Sequence, residues 1–254
     1  MNNVGHLHPI SQSVRKIITI FNELGFAVAD GPEIETGFYN FDVLNIPQDH
    51  PARDMQDTFW LKQSSADIVS AQADSRSKTD LGYGKNSNLL LRTHTTSVSL
   101  GRYLEQNKDV LPVRVIVPGK VFRNEATDAT HEVQFYQIDG AYVDKEVSLA
   151  DLKGTLTYFF KELLGSEVNL RFRPSYFSFV EPGVEIDIKY RGKWLEVMGA
   201  GMIHPNVFKA VGVDSSVWRG FAFGGGIDRL IMINMEIPDI RMLYSGDLRL
   251  INQF

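Results

Sequence analysis

The segment from Gly119 to Asp144 constrains the fold most, because it predicts two antiparallel strands joined by a long polar loop. Side chains on a strand alternate between its two faces. Phe135, Gln137 and Asp139 therefore share one face of the second strand, expected over residues 134–143. A ring, an amide and a carboxylate make a poor hydrophobic core. The face predicts either the floor of a polar binding site or an ordinary solvated sheet face.

The partner strand ends in charged residues. Arg123 is the last residue of a short strand expected at residues 120–123, and Glu125 lies two residues further on, so the two side chains can share a face. A separate strand is expected over residues 113–117. An arginine and a carboxylate beside the polar face of the second strand favour the binding-site interpretation.

Composition sets broad limits. The chain has 254 residues, 43% of them hydrophobic and 22% charged, with a net charge of −5 and no cysteine. These values are typical of a globular protein with one or two domains. They exclude a disulfide framework and give no sign of a strongly basic surface that holds nucleic acid. No apolar run reaches the length of a membrane span, so we expect no membrane and a cytoplasmic location.

The pattern along the chain predicts an α+β domain built on one mostly antiparallel sheet. Amphipathic helices are expected over residues 9–24 and 149–163, each ended by a glycine. A third helix follows the residues THTT, where Thr95 or Thr96 is expected to cap it. Residues 63–88 are polar and weakly patterned, and we expect a variable excursion there.

Two further motifs carry chemistry. GGGIDRL predicts a strand, a sharp glycine turn and a helix whose first turn holds Arg229, where the helix dipole disfavours a cation. An anionic ligand explains that arginine, and pairing with a protein carboxylate is the alternative. Phe177 and Phe179, two residues apart, predict an aromatic slot or two core side chains, and Glu181 follows them.

Together these features suit a site that activates an amino acid with a nucleotide. Arg123 and Arg229 would face a polyphosphate, Gln137 and Asp139 an amine, and the phenylalanines an aromatic ring. Such a site works by positioning and charge stabilisation. The chain has no HExxH, GxSxG or comparable spacing, so a histidine-cluster metal site is not predicted.

The same motifs resemble a known family. GPEIE, LLLRTHT, GKVFRNEATDATHE, FYQIDG, FVEPG, GKWLEVMGAGMIHPNVF and GFAFGGGIDRL occur here in the order found in bacterial-type phenylalanine–tRNA ligase α subunits. The resemblance covers nearly the whole chain. It implies the class II aminoacyl-tRNA synthetase catalytic fold, an antiparallel sheet flanked by helices, as a single domain over residues 1–254. It also places Pro32 in the motif that lies at the family's subunit interface.

The resemblance implies an ATP site. Arg123 would hold the α-phosphate and the substrate carboxylate, and Arg229 the γ-phosphate, which makes these two the implied catalytic residues. Glu125 would accept from the adenine amine, Phe135 would stack on adenine, and His131 would lie near the phosphates.

It also implies a phenylalanine site and a magnesium ligand. The ammonium and carboxylate would be held by Trp60, His94, Thr96, Gln137 and Asp139, the ring would lie between Phe177 and Phe179 above Ala222, and Glu181 would bind Mg²⁺. Asp139 stands where the family usually has glutamate, and Ser178 where it has proline, which is expected to loosen the two rings. Ser99 and Gly101 replace the usual glutamine and arginine.

The implied partners are a β subunit, in a heterotetramer of two α and two β chains, and tRNA(Phe). The family also has an N-terminal coiled-coil arm that contacts tRNA and does not precede these residues, so we expect either a piece of a longer chain or a natural minimal form.

The predicted function is activation of L-phenylalanine with ATP and transfer to tRNA(Phe). Two alternatives stay open: a paralogue that uses an acceptor other than tRNA, and a non-catalytic binding module with the same fold. Acceptor assays separate the first alternative, and ATP binding separates the second.

Overall fold

The structure, a computed structural model, describes residues 5–53, 57–62 and 88–254. Its strands are β1 (Ala27–Val28), β2 (Ile34–Thr36), β3 (Leu89–Leu91), β4 (Val113–Phe122), β5 (Gln134–Asp144), β6 (Leu170–Phe177), β7 (Val180–Tyr190), β8 (Lys193–Ile203) and β9 (Arg219–Gly226). The excursion expected over residues 63–88 lies, apart from residue 88, outside the described residues.

Helices flank the strands. They are α1 (Pro9–Glu23), α2 (Leu104–Asn107), α3 (Leu149–Leu164), α4 (Pro205–Ala210), α5 (Ile227–Asn234) and α6 (Leu248–Ile251), with π-helical turns at Phe38–Asp42 and Ser97–Tyr103 and 3₁₀ turns at Pro51–Arg53 and Ile240–Leu243. None of the helices in the described ranges has the length and apolar content that a membrane crossing requires.

One large sheet organises the molecule. Its strand order is β1-β4-β5-β9-β8-β7-β6, and β2 pairs with β3 in a small second sheet. β1 lies parallel to β4, whereas the other pairs are antiparallel. This arrangement agrees with the α+β fold and the mostly antiparallel sheet predicted from the sequence.

β5 lies near the middle of this sheet, between β4 and β9. Gln137 is opposite Gly119 of β4 and Gly226 of β9, and Asp139 is opposite Gly224. Glycines on the β9 side leave room beside Gln137 and Asp139, so the polar face of β5 can form the floor of a site.

Two local predictions were wrong. β4 is one strand that runs to Phe122, so Arg123 lies just beyond its end rather than within a second strand. The three glycines of GGGIDRL do not turn; they continue β9, and α5 begins directly at Ile227. A Cβ at Gly225 would lie 2.5 Å from the carbonyl oxygen of Val197 on β8, so close packing of the strands explains glycine there.

One face of the sheet is covered by α1 and α3. Phe21 of α1 stacks on Phe159 of α3 at a centroid distance of 4.8 Å and on Phe223 of β9 at 5.1 Å. Each such pair adds about 0.5–1.5 kcal/mol to the burial of its area. A capping box between Ser148 and Asp151 fixes the start of α3.

Arg92 is a buried cation that joins three parts of the chain. It is 2% exposed, and its guanidinium donates to the carbonyl oxygens of Lys120, Gly31 and Pro32 at 2.7, 2.9 and 3.3 Å. A Cβ at Gly119 would lie 2.3 Å from Arg92 Nη2. The guanidinium therefore fastens the turn before β2 to β4, beside the floor of the site.

A second buried cation fixes the helix that approaches the site. Arg102 donates to both carboxylate oxygens of Glu35 on β2, at 2.8 and 2.7 Å, and packs over the ring of Tyr39 at 4.2 Å. Glu35 is fully buried. Because both charges lie out of water, each one depends on the other for compensation.

We therefore expect Glu35→Ala to lower the free energy of unfolding by about 3–5 kcal/mol, because it removes the bidentate carboxylate from a buried guanidinium. Urea unfolding followed by circular dichroism measures the change. Asp42→Ala is the control: its pair with Arg53 reaches solvent, since 38% of the Asp42 side chain is exposed, and its loss should cost less than about 1 kcal/mol. Equal losses in the two variants would contradict the argument.

Candidate functional site

A cavity of about 470 Å³ opens on the polar face of β5. Its walls come from β5, β8, β9, the first turn of α5, the loop between β4 and β5, and the end of β6. This volume is typical of a site for a small molecule. The cavity is where the sequence analysis expected a ligand.

Most of the predicted site residues meet in this cavity. It is lined by His94, Thr96, Arg123, Glu125, His131, Phe135, Gln137, Asp139, Phe177, Phe179 and Arg229. Trp60, Ala222 and Glu181 do not line it. The strand alternation that grouped Phe135, Gln137 and Asp139 on one face therefore agrees with their positions.

The carboxylate of Asp139 is a buried acidic group that lines the cavity. It is 3% exposed, and the hydroxyls of Thr95 and Thr96 each donate to one of its oxygens at 2.6 Å. Burial raises the pKa of Asp139. The expected cap is absent: both threonine hydroxyls are directed at Asp139, to which they donate, and Thr96 accepts no hydrogen bond from an N–H group of the following helix.

Two buried acceptors beside Asp139 have no protein partner. His94 Nε2 lies 3.0 Å from the carbonyl oxygen of Asn40, which assigns the ring proton to Nε2 and leaves Nδ1 as a bare acceptor. Among the described residues, neither Nδ1 nor the amide oxygen of Gln137 has a hydrogen-bond partner. Burial, aided by the nearby charge of Arg123, lowers the pKa of His94 to about 3, so the ring is neutral at physiological pH. A ligand with several hydrogen-bond donors could bind to both atoms.

The aromatic wall stands beside these acceptors. The rings of Phe177 and Phe179 lie 6.0 Å apart at 34°. A Cβ at Gly199 would lie 2.8 Å from the Phe177 ring, so glycine gives this ring its space. Ser178, expected to loosen the rings, donates to Leu44 O at 3.1 Å and accepts from Asn45 Nδ2 at 2.8 Å. The segment between the rings is thus held at two points.

The anion-binding groups lie along the cavity rim. Arg123 donates to Thr93 O at 3.2 Å, lies 5.0 Å from the Phe135 ring centroid, and keeps 40% of its side chain exposed. Glu125 is 3.9 Å from its guanidinium. Arg229 donates to Glu196 O at 2.9 Å. Among the described residues, neither arginine forms an ion pair with a buried carboxylate, so both guanidinium groups can bind an anionic ligand.

Sequence reasoning missed three carboxylates that line the cavity, Glu132, Glu196 and Asp228. Asp228 is 1% exposed, and burial raises its pKa to about 6. An aspartate in the first turn of a helix is common, because the helix dipole favours an acid there, so the sequence gives no signal that sets Asp228 apart. The pKa of Glu196 is raised by burial and by nearby Glu185. The alternation in KWLEV could have placed Glu196 on the site face.

The remaining predictions fall outside the cavity. Trp60 bridges to β3, donates its indole N–H to Arg53 O at 3.2 Å, and lies 5.9 Å from the Phe41 ring. Ala222 is buried in the core cluster against which Phe177 and Phe179 pack. Ser99 and Gly101 are buried in the helix after Thr96 and do not reach the cavity.

Glu181 and the histidine of the β4–β5 loop are both exposed. The Glu181 carboxylate lies 3.6 Å from His204 Nε2, with 78% of its side chain exposed. His131 lines the cavity rim, and its Nδ1 lies 3.0 Å from both Asp128 oxygens. The described residues contain no cluster of three histidine, cysteine or acidic ligands that could hold a metal by itself. A cation here would need oxygen ligands from a bound anion.

The arrangement has two chemical ends. Arg123 and Arg229 can stabilise charge that develops on a polyphosphate. Asp139, Gln137 and His94 present acceptors to a donor-rich cation such as an ammonium. Both ends open into one cavity, which can bring an amino acid and a nucleotide into contact.

Comparison with known proteins agrees with this geometry. Residues 1–254 match the family described as tRNA synthetases class II core domain (F). The phenylalanine–tRNA ligase alpha subunit of Synechocystis sp. is 46% identical over 250 residues, which are 98% of this chain and 67% of that protein. The alpha subunit of Dehalococcoides mccartyi strain CBDB1 is 44% identical over 263 residues, covering 99% of this chain and 70% of that protein.

A solved structure shares the fold. Pyrrolysyl-tRNA synthetase from Desulfitobacterium hafniense superimposes with a TM-score of 0.68 over 94% of this chain and 74% of its own, at 16% sequence identity. With the family match and the identity to curated relatives, it confirms the predicted class II fold and the predicted family. The chain belongs to the class II tRNA synthetase core family and, within it, to the phenylalanine–tRNA ligase alpha subunits.

Proposed function

We propose that this chain activates L-phenylalanine with ATP and transfers it to the terminal ribose of tRNA(Phe). The observation that carries the proposal is the buried carboxylate of Asp139, with two unpartnered acceptors beside it, in a cavity that also holds two arginines. The relatives named phenylalanine–tRNA ligase alpha subunit support the choice of amino acid and acceptor. They favour neither the paralogue nor the non-catalytic alternative.

The amino acid would lie on β5. Asp139, Gln137 and His94 would accept hydrogen bonds from the ammonium, Thr96 would hold Asp139 in place through its hydroxyl, and Phe177 and Phe179 would flank the ring. Trp60 and Ala222 lie outside the cavity, so we propose that they act as supports: Trp60 through Phe41, and Ala222 through the core under the two rings.

ATP would lie along the rim. Phe135 would stack on adenine, Glu125 would accept from its amine, and His131 would lie near the phosphates. The phenylalanine carboxylate oxygen would attack the α-phosphorus, forming a new P–O bond while the bond to pyrophosphate breaks. Arg123 would stabilise charge on the α-phosphate and Arg229 charge on the leaving pyrophosphate.

We propose that Mg²⁺ enters with ATP, where it would neutralise phosphate charge. Glu196 fits as its protein ligand because it lines the cavity beside Arg229 and has Glu185 nearby, a pairing that a cation would relieve. Glu181, the ligand implied by resemblance, is exposed and does not line the cavity. We therefore assign the nucleotide-linked ion to Glu196 rather than to Glu181.

The assembly is part of the same proposal. The alpha-subunit names of the relatives support a β subunit as partner, in a heterotetramer of two α and two β chains. The net charge of −5 is consistent with a partner that holds most of the tRNA. We propose that residues 1–254 act as one catalytic domain in the cytoplasm, with the turn at Pro32 at a subunit interface.

Arg123→Ala should abolish phenylalanine-dependent ATP–pyrophosphate exchange, because it removes the guanidinium that would stabilise phosphate charge. The chain should stay folded, because 40% of the Arg123 side chain is exposed. Exchange should be measured with the chain alone and with the β subunit. The control is Arg249→Ala, since 90% of that arginine side chain is exposed at the C-terminal helix. Retained exchange in Arg123→Ala would exclude the assigned role.

Asp139→Asn should weaken phenylalanine binding at least about tenfold and leave ATP binding unchanged, because it removes the buried charge that faces the ammonium. In the unsubstituted chain, burial raises the pKa of Asp139, so the carboxylate takes up its proton at a higher pH than an ordinary aspartate. The KM for phenylalanine should therefore rise as the pH falls, and this dependence should be absent in the variant. Calorimetry with each ligand separates the two effects, and a loss of ATP binding would contradict the assignment.

Glu196→Gln should raise the Mg²⁺ concentration needed for half-maximal exchange by roughly tenfold, because one charged oxygen ligand becomes neutral. Glu181→Gln is the matched substitution at an exposed glutamate outside the cavity, and it should leave the Mg²⁺ dependence unchanged. The reverse result would return the ligand to Glu181.

A further inference from the structure

The segment of residues 237–244, after α5, is absent from all the roles assigned above. Its Ile237, Ile240 and Leu243 are buried in the core that also holds the apolar faces of α1 and α3. Ile240 reaches the cavity wall. The segment therefore lies against the proposed ATP site and is firmly packed on its other side.

Its first polar contact is through a shared carboxylate. The hydroxyl of Tyr244 donates to Asp228 Oδ1, and the backbone N–H of Tyr136 donates to Asp228 Oδ2 at 2.6 Å. Asp228 precedes Arg229 in the first turn of α5, and Tyr136 follows Phe135 on β5. One buried carboxylate thus joins the segment to the two elements that carry a phosphate contact and the adenine contact.

Its second polar contact reaches the loop between β4 and β5. The N–H of Ile240 donates to the carbonyl oxygen of Ala129 at 2.9 Å. Within the loop, Asp128 accepts from the N–H groups of Thr130 and His131 at 2.7 and 2.9 Å, so the loop tip is a compact turn. The hydrogen bond from Ile240 therefore connects the segment to an ordered turn at the tip of the loop.

Charge adds to this second contact. Arg241 pairs with Asp239, and the carboxylates of Asp128 and Glu132 in the loop also raise its pKa. The segment thus presents a cation to an acidic part of the loop. Exposed charges of this kind contribute little energy each, but the attraction between Arg241 and the loop carboxylates favours the same contact between segment and loop.

We propose that residues 237–244 form a nucleotide clamp, which holds the start of α5 and the β4–β5 loop at the separation that ATP requires. The inference rests on the ATP site proposed above. Tyr244 is a positioning residue that acts through Asp228, and the backbone of Ile240 acts through Ala129. Without the clamp, ATP would have to order Arg229 and the loop itself, and that cost would appear as weaker binding of ATP.

Tyr244→Phe tests the first contact. Loss of a hydrogen bond to a carboxylate should raise the KM for ATP roughly fivefold, with kcat and the KM for phenylalanine changed less than about twofold. Tyr158→Phe is the matched control, because its hydroxyl donates to the exposed Glu23 at 3.0 Å, far from the cavity in the fold. A general loss of stability would instead move both KM values and kcat together.

Ile240→Pro tests the second contact against Ile240→Ala. Both variants lose the branched side chain, and only proline loses the N–H. The preceding residue has φ −144° and ψ 122°, and position 240 begins a 3₁₀ turn, so proline fits the backbone there. The KM for ATP should be at least about threefold higher in the proline variant than in the alanine variant.

The outcomes separate the clamp from the proposed function. ATP affinity is measured by calorimetry as well as by exchange, with the chain alone and with the β subunit. Wild-type ATP binding without exchange would overturn the proposed function, while the ATP affinities of the variants would still decide the clamp. Affinities within twofold of the Tyr158→Phe and Ile240→Ala controls would overturn the clamp. No ATP binding by the wild-type chain would overturn both.

Discussion

The structure depends on keeping one carboxylate, that of Asp139, out of water in the middle of a sheet. Removing an ion from water costs several kcal/mol, and hydrogen bonds offset only part of this. Two threonine hydroxyls donate hydrogen bonds to the carboxylate oxygens of Asp139. A Cβ at Gly224 would lie 2.1 Å from Asp139 Oδ1. The acid thus dictates threonines at the start of one helix and a glycine on the neighbouring strand. In the proposed function, the ammonium group of the substrate would offset the remaining cost.

The elements around this acid are held by backbone acceptors as well as by apolar packing. Arg92 donates to three carbonyl oxygens from two separate segments, and Asn45 donates to the carbonyl oxygen of Ser178 between the two aromatic rings. Backbone carbonyls move only when the chain moves. Side chains that bond to them therefore fix the shape of the cavity before any ligand is present, which reduces the ordering cost of binding.

Much of this site follows from local rules. Alternation along a strand was enough to put Phe135, Gln137 and Asp139 on one face, because period-two geometry is independent of what packs nearby. The cap expected from Thr95 or Thr96 failed for the opposite reason: the partner that takes their hydroxyls is more than forty positions away in sequence. No local pattern shows whether a threonine hydroxyl accepts from a backbone N–H of the next helix or donates to a buried acid far away in the sequence.

The predicted glycine turn was wrong for the same reason. The glycines before α5 look like a turn in the sequence, yet they extend β9 because β8 packs too closely for a side chain. Glu181 and Trp60 came from resemblance alone, and resemblance assigns a role without a position. The cavity lining separates them from residues such as Phe177, whose role and position agree.

The contact between Arg92 and Gly119 has an evolutionary consequence. The guanidinium fills the space that a side chain at position 119 would need, so alanine there would force Arg92 to shift away from its carbonyl partners. Loss of the arginine would open that space, and three carbonyl oxygens would lose their hydrogen bonds to the guanidinium at the same time. Neither position can drift alone. Two sites 27 residues apart in sequence should therefore be inherited as a pair, and a lineage that changes one should show a compensating change at the other.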